Sequence, residues 1–565
     1  MPPTTTPDQR NLVVPLRTRA RMAIQRAWEA AIAGGALPKL AEADRPPIEI
    51  DRPSHPEHGD LSTNLALKLA RPYRRAPLAI AEALAEALRQ GASGSPIARA
   101  EAAAPGFVNL WLGDQALGQT VDEVLAHPAD WGLVAPVRPR AVNVEFVSAN
   151  PTGPLTIGNA RGAFIGDLLS RVLEAGGQSV TREYYFNDAG GQIPNLGASV
   201  IALRRGEPIP EDGYHGGYVE DLAARVPDDV WAAADVEGAD GPEIVGHWAA
   251  GIVREGIEAS LDRLGVHFDV WRTEASLHEE GWVARAIDQL REHGHVYEQD
   301  GAVWFRSTTF GDDKDRVIIR SNGQPTYFAA DIGYVTEKFS RGFDHLIYIW
   351  GADHHGTVAR VRNAAAAMGY DAEHVAMHLY SWVRFVRDGV EISMSKRSGE
   401  FITLDDLLAE VGVDAARWFF ASRAATTGID FDIELAKKQS NENPVYYVQY
   451  AHARIASILR KAAESGLAPA SSVGELSGAP ELALGRVLVR LPEVVEDAVM
   501  AEETQGITTF ATDLATTFHA FYRDARVVDP DEPQLSARRL ALVAATKTTI
   551  ANALGLLGIS APESM

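Results

Sequence analysis

The stretch AVNVEFVSANPTGPLTIGN, residues 141–159, decides the fold that we predict for this chain. Residues 141–146 alternate apolar and polar side chains as a strand does, and the strand breaks at the turn signal of residues 148–151. A helix follows from about Asn159 with apolar residues at helical spacing, and a second strand covers residues 179–186. This order of strand, helix and strand predicts an α/β fold with a parallel sheet of the doubly wound type.

The region before this stretch is predicted to be a separate α+β domain, residues 1–118. Its predicted elements are amphipathic helices at residues 15–36 and 77–90 and short strands at residues 48–50 and 107–112. The Pro-containing segment 135–140 is predicted to be a linker.

The region after the stretch is predicted to complete the sheet and then to become helical. Residues 190–320 are interpreted as a mixed insertion, and a strand at residues 346–350 returns the chain to the sheet. From about Asn443 the pattern is almost purely helical, which predicts a helical bundle. We therefore place the central α/β domain at residues 119–435 and the helical domain at residues 436–565.

The composition is that of an ordinary soluble globular protein of two to four domains, with 565 residues, 46% hydrophobic and 23% charged. The absence of cysteine excludes disulfides, thiolate metal sites and a thiol nucleophile. A membrane span would need about 18 consecutive apolar residues, and no such run occurs. The formal charge of −23 argues against bulk attraction to a polyanion, so nucleic acid would have to bind on local basic patches.

Two segments carry candidate chemistry. In the first, Gly153 and Gly158 lie where a strand gives way to a helix N-terminus, a place that favours phosphate, although a structural tight turn explains these glycines equally well. Their spacing is that of neither the dinucleotide-binding fingerprint nor the P-loop, which weakens the dehydrogenase reading. In the second, residues 393–399, Lys396 is flanked by Ser and Gly in a loop and could stabilise a leaving pyrophosphate, although this is also a common surface-loop composition.

Together the two segments resemble the signatures of class I aminoacyl-tRNA synthetases, written H-I-G-H and K-M-S-K-S, and their surroundings are similar to the arginyl branch of bacterial type. The similar segments are residues 56–60, 63–66, 144–155, 326–332, 350–356, 441–454 and 555–563. The resemblance covers essentially the whole chain. It implies a Rossmann-like catalytic domain, an N-terminal domain that contacts the tRNA elbow, and a C-terminal all-α anticodon-binding bundle.

The resemblance implies an enzyme that converts L-arginine and ATP to arginyl-adenylate and transfers arginine to the 3′-terminal adenosine of tRNA(Arg). Mg²⁺ would be carried by ATP, with no metal site of the protein's own. We expect a monomeric cytoplasmic protein without a membrane partner. The residues implied to bind ATP are Pro154, Leu155, Thr156, Gly158, Asn159, Gly351, His354, Met394, Ser395 and Lys396, with Thr156, Asn159 and Lys396 as the catalytic ones.

The arginine pocket has a physical basis as well, because a guanidinium needs planar carboxylate partners. Glu145 points away from its strand neighbours, and Tyr327 and Asp331 share one face if their segment is helical. The residues expected to bind arginine are Glu145, Ser148, Asn150, Tyr327, Asp331 and Asp353. Those expected to bind tRNA are Asn64, Tyr446, Tyr450 and Arg454, although helix packing explains the tyrosines equally well.

The chain departs from the first signature at both histidines, which are replaced by Thr156 and Asn159, and Ser393 replaces the first Lys of the second signature. Thr and Asn still donate hydrogen bonds but bring no positive charge, so adenylate formation would slow about tenfold if nothing compensates. The alternative is therefore a catalytically impaired homologue that binds tRNA without efficient charging. A synthetase for another amino acid, such as cysteine, is disfavoured by the missing zinc-ligand cysteines.

Overall fold

The computed structural model describes residues 12–91, 94–136, 138–188, 190–392 and 402–565. The first part of the chain is an α+β unit. Its elements are α1 Leu16–Ala33, β1 Leu61–Thr63, α2 Leu65–Tyr73, α3 Pro77–Gln90, β2 Ile97–Ala103, β3 Phe107–Leu112 and α4 Asp114–Ala126. The three strands form an antiparallel sheet with β3 in the centre, and α3 begins with Pro77 at a position where a missing N–H costs nothing.

The strand predicted for residues 48–50 is wrong. Pairing there is limited to one isolated bridge between Asp51 and Ser62. Prolines on both sides, Pro46-Pro47 and Pro53, have no N–H to donate, so a longer ladder cannot form.

The central part of the chain is built on a parallel sheet. Its elements are β4 Ala141–Phe146, α5 Ile157–Ala175, β5 Ser179–Phe186, α6 Gln192–Arg205, α7 Gly217–Arg225, α8 Asp228–Ala234, α9 Gly241–Leu264, β6 Val270–Thr273, α10 Glu274–Glu279, α11 Trp282–Glu292, β7 Val296–Gln299, β8 Ala302–Phe305, β9 Arg316–Ile319, α12 Tyr327–Ser340, β10 His345–Gly351, α13 His355–Ala367, β11 Val375–Tyr380, β12 Val383–Arg387, β13 Val390–Glu391, α14 Leu404–Val411, α15 Val413–Ala421, β14 Ile429–Asp432 and α16 Ile433–Lys437.

Five of these strands pair side by side in the order β11-β10-β4-β5-β6, and every pairing between neighbours is parallel. The predicted strand–helix–strand unit of β4, α5 and β5 is confirmed, although α5 begins at Ile157 rather than Asn159. The segment interpreted as an insertion, residues 190–320, is only partly peripheral, because it supplies the edge strand β6. The other strands of the central part form two small three-stranded sheets.

The central strand β4 is buried on both faces, and its side chains alternate between two helical layers. Phe146 packs against α5 so closely that a Cβ on Gly166 would lie 2.1 Å from its ring. Glu145 points to the opposite side, where α12 supplies Lys338. The predicted alternation along this strand is confirmed, and it directs one carboxylate into the interior.

The last part of the chain is helical, as predicted. Its elements are α17 Pro444–Glu464, α18 Ala479–Leu488, α19 Leu491–Ala501, α20 Gln505–Asp524 and α21 Pro533–Leu556. In the part of the chain that the structure describes, none of the helices has both the length and the apolar content needed to cross a bilayer.

A carboxylate joins this helical part to the parallel sheet. Glu502, just after α19, lies with Oε1 2.7 Å from Nε2 of His345 and with Oε2 2.6 Å from Nε2 of His378. The two histidines belong to the adjacent strands β10 and β11. Burial acts to raise the pKa of Glu502, but the hydrogen bonds with both histidines outweigh it and lower this pKa to about 2. We call this contact the histidine clasp.

Replacing the clasp carboxylate should cost stability. We expect Glu502→Gln to lower the free energy of unfolding by about 1.5–3 kcal/mol, because a charged hydrogen bond to a buried partner is lost. The folded-state pKa of Glu502 lies below its ordinary value of about 4.3. The loss of stability caused by Glu502→Gln is therefore complete at pH 7 and shrinks as the pH falls from about 4 toward 2. Urea denaturation of the wild type and the variant, at pH 7 and again between about pH 4 and pH 2, measures this loss.

The matched control is Glu503→Gln, the exposed neighbour of Glu502, which should change the free energy of unfolding by no more than about 0.5 kcal/mol. Equal effects of the two substitutions would contradict the clasp.

Candidate active site

The carboxyl ends of three parallel strands meet at one edge of the sheet, where β4 ends at Phe146, β5 at Phe186 and β10 at Gly351. The turn that leaves β4, residues 147–156, opens directly into α5. Ligands of open α/β sheets bind at this edge, outside the carboxyl ends of the strands. We call residues 147–156 the signature turn.

The signature turn begins under backbone strain. Val147 and Ser148 have φ values of 67° and 42°, which are costly for residues with a Cβ. Strand β5 holds them there, because the N–H of Tyr185 donates to Oγ of Ser148 at 3.1 Å. The hydroxyl of Tyr184 also bonds both the N–H and the carbonyl of Ala149, at 3.0 Å each.

The end of the signature turn pairs with the segment that follows residues 393–399, the predicted loop around Lys396 that we call the lysine loop. The N–H of Leu404 donates to the carbonyl of Leu155 at 3.0 Å, and the N–H of Ile157 donates to that of Ile402 at 3.2 Å. The predicted ATP residues Met394, Ser395 and Lys396 lie outside the described residues. Ile402 and Leu404, which follow in the chain, lie against the signature turn. The position of Lys396 beside a bound nucleotide stays a prediction.

Thr156 and Asn159, which replace the two signature histidines, contact each other. The hydroxyl of Thr156 donates to Oδ1 of Asn159 at 2.8 Å. This bond orients the Asn159 amide, and its NH₂ group has no partner among the described residues. Thr156 is the N-cap of α5, and Gly158 is exposed in the first turn. The N–H groups of Ile157 and Asn159 already donate to backbone carbonyls, so among the described residues it is the N–H of Gly158 that is open to an anion here.

Below this edge, Glu145 forms a buried ion pair that the sequence analysis missed. Its Oε2 lies 2.6 Å from Nζ of Lys338, with the two side chains 3% and 0% exposed. The Lys338 ammonium also lies 4.4 Å and 4.0 Å from the ring centroids of Tyr334 and Tyr348. Oε1 of Glu145 accepts a long hydrogen bond from Ser148 at 3.4 Å, so Glu145 meets the signature turn on one side and Lys338 on the other.

Two further carboxyl groups lie close to Glu145. Burial, together with the nearby charges of Glu145 and Glu274, raises the pKa of Asp331 to about 8, although the charge of Arg360 acts to lower it. Glu274, the first residue of α10, accepts a hydrogen bond from the hydroxyl of Tyr185 at 3.0 Å, and burial raises its pKa. Sequence reasoning missed Glu274, whose only signal is a carboxylate directly after a sheet strand.

Tyr327 and Asp331 are one helical turn apart on α12, as predicted. Tyr327 is 57% exposed, and its hydroxyl lies 2.8 Å from where a Cβ on Gly190 would be, beside the end of β5. No hydrogen bond to the carboxyl of Asp331 comes from any described residue. The pair therefore presents one open hydroxyl and one partly buried, unpaired carboxyl to the same edge.

The remaining predicted residues lie around this pocket without joining its acids. Asn150 is exposed on the signature turn. Asp353 follows β10, and its contacts are with His354, at 3.6 Å, and with Tyr380 through charge. The ring of His354 lies 5.4 Å from that of Trp350, and a Cβ on Gly351 would collide with Asp353 at 2.4 Å. Pro154 is partly buried and Leu155 is buried.

A second buried carboxylate, that of Glu183, lies near the Glu145–Lys338 ion pair. Glu183 of β5 accepts from Nδ2 of Asn143 at 2.7 Å and from the guanidinium of Arg341 at 2.8 Å. Burial opposes its ionisation, but Lys338 and Arg341 outweigh burial and lower the pKa of Glu183. Among the described residues, no group of three or more His, Asp or Glu side chains could hold a metal ion.

The predicted tRNA residues lie far along the chain, in two places. Tyr446, Tyr450 and Arg454 follow one face of α17, where the two tyrosine rings stack with centroids 6.3 Å apart and Arg454 lies over Tyr522 at 4.5 Å. Asn64 occupies the N-cap position of α2 without a capping hydrogen bond from its side chain, and its Oδ1 is buried without a hydrogen-bond partner among the described residues.

Sequence reasoning missed His519, whose ring centroid lies 5.0 Å from that of Tyr447. Burial and the charge of Arg454 lower the pKa of His519 to about 4. Neither of its buried ring nitrogens has a partner in the described part of the chain. The aromatic face of α17 therefore includes an imidazole with unused hydrogen-bonding capacity.

Three family models match the chain. Residues 21–112 match the arginyl tRNA synthetase N terminal domain, residues 120–207 and 242–425 match the class I (R) tRNA synthetase catalytic domain, and residues 448–565 match the DALR anticodon binding domain. The exact boundaries at 118/119 and 435/436 remain an interpretation.

Proteins of known sequence and structure match over most of the chain. The arginine–tRNA ligase of Citrifermentans bemidjiense is 45% identical over 562 residues, 97% of this chain and 100% of the relative. That of Bacillus subtilis is 42% identical over 93% of this chain and 95% of its own length. The solved arginyl-tRNA synthetase of Thermus thermophilus has a TM-score of 0.74 and 24% identity, covering 96% of this chain and all of its own, and it supports the fold alone.

The parallel sheet and the helical C-terminal part of the structure agree with these matches. The identity is high and extends over nearly the full length of both chains. This chain belongs to the arginyl-tRNA synthetase family of class I aminoacyl-tRNA synthetases.

Proposed function

We propose that this chain activates L-arginine with ATP, forming arginyl-adenylate, and then transfers the arginyl group to the 3′-terminal adenosine of tRNA(Arg). The observation that carries the proposal is the group of three carboxyl groups, Glu145, Glu274 and Asp331, beside a turn suited to phosphate. Nothing in the comparisons favours the alternative of a homologue impaired in charging.

The charge of the pocket favours a guanidinium. Lys338 already balances Glu145, whereas neither Asp331 nor Glu274 forms an ion pair with a described residue, and the charge of Arg360 reaches Asp331 only from beyond ion-pair distance. A planar cation that donates two parallel hydrogen bonds to a carboxylate would balance these groups, and the guanidinium of arginine is one. We assign Glu145, Glu274 and Asp331 to the guanidinium, with Tyr327 at its rim.

The other end of arginine would lie at the signature turn. Asn150 is exposed there, and Ser148 is fixed by its bonds to strand β5 and Glu145. We assign these two residues to the α-ammonium and α-carboxylate groups, with Asp353 near the ammonium. This orientation would present the arginine carboxylate to a nucleotide bound over the start of α5.

ATP would bind over the signature turn. The Gly158 N–H and the Asn159 amide, which the Thr156 hydroxyl orients, would meet the phosphates, joined by Lys396 from the lysine loop. The remaining ATP contacts are assigned to Pro154, Leu155, Gly158, Gly351, His354, Met394 and Ser395. We propose that Mg²⁺ arrives bound to ATP, where it would balance the phosphate charge.

Positioning and charge stabilisation would account for the chemistry, since no protein nucleophile is required. A carboxylate oxygen of arginine attacks the α-phosphorus of ATP; the new C–O–P bond forms as pyrophosphate leaves with the electron pair of the broken P–O bond. A ribose hydroxyl of the terminal adenosine then attacks the carbonyl carbon, loses its proton, and releases AMP as the ester forms.

The tRNA would contact both ends of the chain. Tyr446, Tyr450 and Arg454 offer stacking and cationic contacts to unpaired anticodon-loop bases, and Asn64 offers an amide in the N-terminal domain. The negative net charge requires these contacts to be local. We further propose a monomeric protein that works in the cytoplasm.

Pyrophosphate exchange tests the activity. With ATP, tRNA(Arg) and arginine we expect radiolabelled pyrophosphate to enter ATP, and with lysine in place of arginine we expect no exchange, because an ammonium cannot match planar carboxylate contacts. Asn159→Ala should lower kcat of exchange about tenfold, through loss of one phosphate contact. Asn322→Ala, in an exposed turn, is the control. Absence of exchange with purified tRNA(Arg) would refute the proposal.

Arginine binding should depend on pH through Asp331. Its pKa of about 8 means that the carboxyl is mostly protonated at neutral pH, whereas the bound guanidinium favours the charged form. The KM for arginine should therefore fall about tenfold from pH 6 to pH 7 and level off above pH 8. Asp331→Asn should abolish this dependence, and Asp331→Ala should raise KM sharply; an unchanged KM would exclude Asp331 from the pocket.

Lys338 should be indispensable to the pocket. Replacement by Met leaves Glu145 buried without its cation, so we expect the free energy of unfolding to fall by about 3–5 kcal/mol. The exposed Lys437, which pairs with Glu410 on the surface, provides the control Lys437→Met, with an expected loss below about 1 kcal/mol. Chemical denaturation followed by circular dichroism distinguishes the two, and similar losses would rule out a special role for the buried pair.

A further inference from the structure

A segment outside the catalytic family match reaches the signature turn. Residues 208–241 fall between the two matched parts of the catalytic domain, and they contain helices α7 and α8. The segment is anchored to α6, where the N–H of Tyr214 donates to Oγ of Ser199 at 2.9 Å. One of its side chains, Tyr218 in the first turn of α7, extends to the active-site edge.

Tyr218 contacts the middle of the signature turn in two ways. Its hydroxyl donates to the carbonyl of Thr152 at 2.8 Å. Its ring lies against Gly153, where a Cβ would be 3.4 Å from both Cζ and the hydroxyl oxygen. Gly216 precedes it with φ of 122°, a conformation that glycine adopts at little cost and that brings the chain back toward the turn.

The other supports of the signature turn hold only its two ends. Tyr184 and Tyr185 hold Ser148 and Ala149 at the start, and the segment after the lysine loop holds Leu155 at the end. Residues 150–154 lie between these two supports. Among the described residues outside the turn, Tyr218 is the one whose side chain forms a hydrogen bond with them. A turn that starts in strained backbone needs its surroundings to fix it.

The hydrogen bond is suited to a permanent structural role at the site. Burial raises the pKa of the Tyr218 phenol far above neutrality, so the hydroxyl stays protonated and donates throughout the working pH range. Residue 218 is partly buried, and its hydroxyl is already engaged with backbone.

We propose that Tyr218 is a positioning residue for adenylate formation. By fixing the Thr152 carbonyl, it would set the path of residues 150–154 and hence the separation between Asn150, at the arginine end, and Thr156 with Asn159, at the phosphate end. Small displacements between reacting groups are costly in rate. This inference rests on the proposed activity, and the wild-type exchange assay tests that activity independently.

The test is Tyr218→Phe, which keeps the ring against Gly153 and removes the hydrogen bond. We expect kcat of arginine-dependent pyrophosphate exchange to fall about tenfold, while the KM values for arginine and ATP change less than about threefold, because Tyr218 touches neither substrate. The thermal unfolding midpoint should match that of the control described next.

The matched control is Tyr73→Phe, which removes a buried tyrosine hydroxyl that accepts a hydrogen bond from Nε1 of Trp28 at 2.8 Å in the N-terminal domain. It should retain wild-type kcat. If the wild type catalyses exchange but Tyr218→Phe keeps kcat within about twofold, or loses activity only in proportion to lost folded protein, or changes KM alone, the positioning role is overturned while the proposed function stands. A wild type without exchange refutes the activity instead, and the inference with it.

Discussion

The ion pair between Glu145 and Lys338 is the constraint on which the active-site edge depends. A central parallel strand is covered on both faces and ordinarily carries apolar side chains, yet β4 carries a carboxylate that is 3% exposed. Such a group is tolerated only when it is paired and hydrogen-bonded. Lys338, itself enclosed by the rings of Tyr334 and Tyr348, meets this requirement, and so helix α12 must dock where its Tyr327 and Asp331 reach the same edge.

Much of the fold could be predicted because its signals are local. The alternation along β4, the helical spacing of α5 and the four-residue separation of Tyr327 and Asp331 each depend on near neighbours in the chain, and the structure confirms all three. The turn between strand and helix was likewise predictable from the local sequence, and its role as a place for phosphate stays a prediction. The prediction of a strand at residues 48–50 was wrong because the prolines on both sides of this apolar segment prevent it from pairing.

The parts of the site that could not be predicted are those made by distant segments. Lys338 lies in α12, whose spacing of apolar residues is typical of a helix packed against the core. Nothing nearby in the sequence marks Lys338 as the partner of Glu145. Glu274 and Tyr218 lie in a region that looked peripheral, although β6 and α7 bring both to the site. The pairing of Ile402 and Leu404 with the signature turn also required the tertiary structure, since the motifs alone give no distance.

The histidine clasp has a consequence for how the chain can be divided. A fragment that ended near residue 435 would lose Glu502 and leave two imidazoles on neighbouring strands facing solvent without their acceptor. It would also lose the carbonyl of Leu557, which Arg417 binds while it holds Asp167. The helical bundle is therefore not a detachable module. A chimera that took its last helices from a relative would keep the histidine clasp only if those helices supplied a carboxylate at the position of Glu502, within reach of both histidines.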